Sequence, residues 1–335
     1  MLLVDLAVRA TLIFFAALVT TCALRRAAAA TRHLTWTLAV VSVLALPLLV
    51  LALPEWPILP GGGPGPARPH VASPDADAAV PSLNTATSGA GPVSTATAPS
   101  ARILVNAALA IWGLVTCALV ARIAAGIGAV RRLARHARPA DARSRDLLDR
   151  VAAAAGVSTP IRLLVSDDVS TPMTWGGRRP LLLLPRDARG WSDARVWMVL
   201  LHEIAHIRRA DWLTHAISRV VVAFHWFNPL AWIAMRAMTR ERERACDDFV
   251  VAQGAPATDY AQHLLDIARS ERPGPARAVA PAMARRSELE GRVLSILTPH
   301  RREACRSAAP LLTLAAIAAA GLVAAAAPAH VPPPD

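Results

Sequence analysis

The stretch LLHEIAHIRRADW, residues 200–212, sets His202 and His206 four positions apart, with Glu203 directly after the first. On a helix the i, i+4 spacing brings both imidazoles to one face, close enough to share one ion. Glu203 lies about 100° around the helix, where it can flank that ion without ligating it. That is the arrangement of a carboxylate base acting on water at a zinc ion. A catalytic zinc takes three protein ligands and keeps one position open, so a third ligand must come from elsewhere. Asp211, His215, His225, Glu241, Glu243, Cys246 and Asp247 are the downstream candidates, and Glu243 in ERERACDDF is preferred. Glu243 and Asp247 share a helix face at i, i+4, so one can bind the metal while the other orients a ligand histidine.

The elements between them must close the distance. Residues 211–226 read as an apolar helix, Asn228-Pro229 as a break, and 230–251 as a second helix. About fifteen residues out is roughly 22 Å, and about thirteen back is roughly 20 Å. A helical hairpin therefore returns Glu243 to the level of the histidines. Residues 216–238 are apolar enough to suggest a membrane crossing, but a single crossing would put Glu243 and the histidines on opposite sides. Arg219, His225, Asn228 and Arg236 also oppose lipid exposure. The expectation is a buried or membrane-surface hairpin.

Upstream, residues 143–155 read as an amphipathic helix. Residues 161–166 and 180–184 read as short strands with a turn at Gly176-Gly177 between them. Ser192 or Asp193 can cap the histidine helix, whose buried face carries Val196, Val199 and Leu200. Tyr260, the sole tyrosine, lies in the amphipathic stretch DYAQHLLDIA and reads as core packing rather than an oxyanion donor. His215 and His225 read as packing or surface residues, and Cys246 as a small buried side chain. The plainer readings are satisfied core histidines for His202 and His206 and a solvated charge for Glu243. The joint pattern of both motifs outweighs them.

Composition narrows the class. Of 335 residues, 54% are hydrophobic, and mean hydropathy is +0.38, which points to membrane spans. There is no lysine, so neither a Walker A loop nor a Ser-x-x-Lys penicillin-recognising site can exist in this chain. The net charge of +12 comes from arginines clustered beside apolar runs, with no recognition motif, so no direct nucleic-acid binding is expected. Cys22, Cys117, Cys246 and Cys305 show no paired spacing and imply no disulfide framework.

Four segments read as transmembrane helices: residues 2–24, 34–53, 103–121 and 311–327. Arg25 and Arg26 follow the first apolar core instead of preceding it, which favours an uncleaved span over a signal peptide. Arg25, Arg26 and Arg32 fill the first short loop. Arg122, Arg131, Arg132, Arg135 and Arg138 follow the third span, while residues 54–102 hold only Arg68 and Arg102. The positive-inside rule then places the first loop and residues 122–310 in the cytoplasm of a multi-pass protein of the cell membrane. The expected layout is a span pair over 1–53, a Pro/Gly/Ser/Thr-rich extracytoplasmic tether over 54–102, and a third span over 103–121. A cytoplasmic domain over 122–310 and a last span with a short tail over 311–335 complete it.

The chain resembles the M56 peptidases, the family of the membrane-bound antibiotic sensors BlaR and MecR. The matching pieces are TPMTWGGRRPLLLLP (171–185), LLHEIAHIRRADW (200–212), FHWFNPLAW (224–232), ERACDDFV (243–250) and RRSELEGRVLSIL (285–297). The resemblance covers roughly residues 100–300 and the span layout. It implies an α+β membrane protein whose mostly helical, gluzincin-like cytoplasmic zinc protease domain carries a small β-sheet. By motif position it implies His202, His206 and Glu243 as zinc ligands, Glu203 as catalytic base and Asp247 as a carboxylate behind a ligand. It also implies strand 181–184 as the edge against which a peptide lies. The sensor members carry a penicillin-binding domain after the fourth span. This chain ends AHVPPPD, so sensing through such a domain is not expected.

The expected function is a zinc metalloendopeptidase tethered in the lipid bilayer. It would cut a cytoplasmic protein, a transcriptional repressor or the protease itself, with Arg285-Arg286 and Arg301-Arg302 as linker-like self-cleavage points. A second copy of the chain is a further candidate partner. The competing readings are a signalling scaffold that binds zinc without cleaving, and a housekeeping membrane protease resembling the M48 group. The intact Glu203 opposes the first, and the ERACD form and strand motif oppose the second.

Overall fold

A computed structural model describes residues 2–52, 98–270 and 282–298. The chain divides into two units, Met1–Pro54 with Val115–Ala325, and Glu55–Leu114 with Ala326–Asp335. Of the second unit only the first turns of one long helix are described. The described chain is mostly helical, with one small mixed sheet. The expected fourth span and nearly all of the expected tether lie outside the described residues.

Three helices are long and apolar enough to cross a membrane: α1 (Leu2–Ala23), α2 (Ala29–Ala52) and α3 (Ala98–His136). In α1, Ala10, Ile13, Phe14 and Ala17 are buried, while Val8, Leu12, Phe15 and Val19 stand exposed on the other face. A helix apolar on both faces has no aqueous side, and lipid is the natural cover for the exposed stripe. α3 does not stop at residue 121 but continues to His136, about 58 Å in all. Its last turn packs Leu133 and Ala134 against Leu164 and Leu183 of the sheet.

The sheet contains β1 (Arg138–Pro139), β2 (Arg162–Ser166), β3 (Met173–Trp175) and β4 (Leu181–Pro185), in the order β1-β2-β4-β3. This corrects two expectations. The strands at 162–166 and 181–185 are parallel neighbours, with Arg162 opposite Leu181, and a further strand, β3, intervenes in sequence. Because β3 pairs antiparallel with β4, β4 is interior and β3 is the edge. The physical reason lies in the leucines. Leu182 and Leu184 face the core beneath α4 (Ala142–Ala154), Leu181 and Leu183 face the end of α3, and all are buried. A strand apolar on both faces belongs inside a sheet.

The β3–β4 turn depends on its glycines. Gly176 has φ +92°, and a Cβ on Gly177 would lie 2.5 Å from Cζ2 of Trp212. Gly177→Ala is therefore expected to displace the indole and to destabilise the chain by about 1–3 kcal/mol in denaturant unfolding. Gly190→Ala, with open space around it, is the control and should change stability by less than about 0.5 kcal/mol.

α5 (Asp193–Arg208) starts at Ser192, whose Oγ accepts from Arg195 N at 3.3 Å. It buries Val196, Leu200, Leu201 and Ile204 in a core shared with β2, β4 and α4. α6 (Asp211–Phe224) and α7 (Pro229–Ala252) form the expected hairpin, followed by α8 (Ala257–Ser270) and α9 (Ala282–Leu297). The hairpin packs against α1 and α2. Val221, Val222, Ala231 and Ala234 join Ile13, Phe14, Trp36 and Val40 in one core. At its tip, Asn228 Nδ2 donates to Thr11 Oγ1, halfway along α1, at 3.0 Å, while Asn228 Oδ1 caps α7 by accepting from Leu230 N. Further along α7, Arg32 at the start of α2 pairs with Glu241 at 2.7 Å. Two contacts thus fix the hairpin alongside α1 and α2, from mid-helix to the turn between them. Arg285-Arg286 lies within α9, not in a linker, so cutting there would first require unwinding. Arg301-Arg302 lies outside the described residues.

Candidate metal centre

α5 presents His202, Glu203 and His206, and α7 returns Glu243 to meet them. One donor atom from each of His202, His206 and Glu243 lies within 4.8 Å of the others. His202 Nε2 is 3.5 Å from Glu243 Oε2, and His206 Nε2 is 4.0 Å from Oε1. The two imidazoles meet edge to face, at 84°.

Each histidine is anchored through its other nitrogen. Tyr260 donates its hydroxyl proton to Asp247 Oδ1 at 2.7 Å, so its oxygen accepts from His202 Nδ1 at 2.9 Å. Asp247 Oδ1 itself lies 3.3 Å from that nitrogen. His206 Nδ1 donates to Asp211 Oδ2 at 2.8 Å, and Arg209 supports Asp211 from 3.3 Å. With Nδ1 donating in each ring, both Nε2 atoms face Glu243, and an incoming metal would displace the Nε2 proton to take that lone pair. Burial alone would lower the His202 pKa, but its bonds to Asp247 and Glu243 outweigh burial and raise it to about 9. Burial would raise the Glu243 pKa, but His202 and the Arg292 charge hold it well below the usual carboxylate range. Arg242 also donates to Glu243 Oε1 at 2.9 Å, so a metal would compete with that guanidinium for the carboxylate.

Asp211, one of the candidate third ligands, accepts from His206 Nδ1 instead. His206, Asp211 and Cys246 also cluster at metal-holding distance, but that imidazole nitrogen is already committed. Burial, then the Asp211 charge, push the Cys246 thiol up, and only a thiolate ligates metal. Tyr260 does more than pack. The residue is buried in the domain core, yet its hydroxyl links His202 to Asp247. Nothing local marks that role, because α8 reaches the site only through tertiary packing. Tyr260→Phe is expected to keep the fold and to weaken metal binding about 10- to 100-fold in competition with a chromogenic chelator.

Glu203 is buried, and its Oε2 accepts from Thr174 Oγ1 of β3 at 2.5 Å. No spacing in the sequence marks this contact, since β3 is three residues long. A cavity of about 440 Å³ opens over these residues, with β3 along one side and His215, Tyr260 and His263 among its other walls. Arg292, on α9, reaches Asp247 at 2.7 and 2.8 Å and Glu243 at 3.5 Å. His215 lines the cavity and accepts from Arg219, while His225 caps the end of α6.

The chain belongs to the BlaR1 peptidase M56 family, whose model matches residues 1–296. It is 35% identical over 79 residues to the regulatory protein BlaR1 of Bacillus licheniformis, a stretch covering 24% of this chain and 13% of the relative. It is 26% identical over 88 residues to the methicillin resistance mecR1 protein of Staphylococcus aureus, covering 26% of this chain and 15% of the relative. The match thus spans a small part of each curated relative. The family is one of metallopeptidases, and the membership agrees with the convergence of histidines and carboxylate described above.

Proposed function

We propose that the chain is an integral membrane zinc metalloendopeptidase that cuts a regulatory protein, a transcriptional repressor or itself, on the cytoplasmic side. The observation that carries this is the convergence of His202, His206 and Glu243 with both imidazoles anchored at Nδ1. Two neutral nitrogens and one carboxylate suit zinc and leave a position open. Zinc held there would supply Lewis acidity and make water acidic enough to attack near neutral pH.

The protein's own residues do the rest. Glu203, held by Thr174, takes a proton from the attacking water and returns it to the leaving amine. The free edge of β3 can receive an extended peptide as an added strand, which sets its carbonyls beside the cavity. Asp247 and Asp211 hold the ligand histidines in register. The arginine asymmetry of the loops supports the cytoplasmic side. The Arg32–Glu241 pair sets the first loop at the level of the metal centre, as that orientation requires.

The test compares protein N-termini in cells expressing wild type and Glu203→Gln at equal levels. Termini that appear only with wild type establish the protease and identify its substrate. Identical termini, with and without cell-wall stress, overturn it in favour of a zinc-binding scaffold.

A further inference from the structure

A second cavity, of about 1100 Å³, lies where the α1–α2 turn meets α5, α7 and α9, and none of the three converging donors lines it. Its walls divide by chemistry. Seven arginines and two carboxylates surround one part. Arg32 and Arg244 share Glu241, and Arg209 is paired with Asp211. Arg25, Arg26 and Arg240 are exposed and have no carboxylate partner among the described residues. The other part is apolar, built from Leu18, Trp36, Ile233 and Ala237.

That division matches one class of ligand. Guanidinium groups without a carboxylate partner suit a phosphate, since arginine binds its oxygens in a planar fork; Arg25 spends only its Nε, on the Cys22 carbonyl at 3.1 Å. The apolar wall runs from there along α1, α2 and α7, where acyl chains would follow. Basic pockets between membrane helices on the cytoplasmic side hold anionic headgroups. A soluble acidic partner would fit the arginines but would leave the apolar wall uncovered.

We propose that this cavity binds an anionic phospholipid, its phosphate held by Arg25, Arg26 and Arg240 and its chains lying along Leu18, Trp36 and Ile233. The proposal rests on α1 and α2 spanning a membrane, and not on proteolysis. Glu241, which pairs with Arg32 at the border of the cavity, lies on α7 two residues before Glu243.

The experiment is native mass spectrometry of the full chain, purified in detergent and supplied with phosphatidylglycerol or phosphatidylcholine. The chains are wild type, Arg25→Gln/Arg26→Gln/Arg240→Gln, and a charge control, Arg145→Gln/Arg162→Gln/Arg189→Gln. Wild type and control are expected to retain phosphatidylglycerol. The cavity variant should bind it about a hundredfold more weakly, about fivefold for each arginine lost. Phosphatidylcholine should show no such difference, and inorganic phosphate should not displace the lipid. Equal loss in the control overturns the proposal in favour of diffuse charge. Equal retention in the cavity variant overturns it outright, and displacement by inorganic phosphate makes the cavity a simple anion site. Alkaline washing of membranes checks the premise separately: a chain that washes out refutes the spans, whereas a retained chain without lipid selectivity refutes only the site.

Discussion

A chain carrying Glu203→Gln is expected to fold, to bind metal as tightly as wild type, and to cleave about 100- to 10,000-fold more slowly. The expectation follows from what glutamine keeps and loses. It keeps the shape, and its amide oxygen can still accept from Thr174 in the position now held by Glu203 Oε2. It cannot take a proton from water. Glu203 is not among the three converging donors, so the ion should be unaffected. Glu203 is also buried, so replacing its charge with a neutral amide strands no ionised partner and should not lower stability. The readout is the cleavage rate on a substrate peptide, with metal content measured on the same preparation. Thr174→Val should give a smaller loss, because Thr174 aims the carboxylate without transferring a proton. A Glu203→Gln rate within about tenfold of wild type would place the base elsewhere and sink the proposed mechanism.

How far the sequence could be read depended on whether a feature had a period. The histidine helix, the hairpin and the i, i+4 pair Glu243 and Asp247 each announce themselves through spacing along one helix, and the structure brings all of them together. Contacts between elements distant in sequence have no such signature. Tyr260 is 58 residues from His202, and Arg292 is 45 residues from Asp247. Thr174 sits on a three-residue strand too short to show alternation. One error had a readable remedy. The unbroken run of Leu181 to Leu184 signals burial on both faces, and hence an interior strand, with the edge left to β3. α3 runs past the expected span because Arg122, and then Arg131, Arg132 and Arg135, break its apolar run while leaving its helix intact.

Replacing Arg292 by methionine is expected to lower the unfolding free energy by about 3–5 kcal/mol, the usual cost of stranding one partner of a buried ion pair. Asp247 is almost wholly buried and receives two bonds from this guanidinium. Methionine keeps the length and the packing of the stem but donates nothing. Burial then drives Asp247 to take a proton, against the Arg292 charge that now holds its pKa well down. The consequence runs inward. A protonated Asp247 no longer draws the Tyr260 proton, so the phenol is free to donate to His202 Nδ1. That moves the imidazole proton to Nε2, the atom that must offer its lone pair to the metal. Metal affinity should therefore fall about 10- to 100-fold together with stability. The sign of the pH dependence follows from the depressed pKa. The wild-type advantage is present above the unfolded value of about 4 and is lost as pH falls toward the folded one, so the two unfolding curves should converge in acid. Arg292→Met/Asp247→Asn separates the two effects. Removing both charges should restore much of the stability, because no buried ion is left unpaired. Metal affinity should stay low, because an amide is a poorer acceptor for the Tyr260 proton than a carboxylate. Equal recovery of both would mean that Arg292 serves only the fold; recovery of stability alone assigns it to orienting His202 through Asp247 and Tyr260.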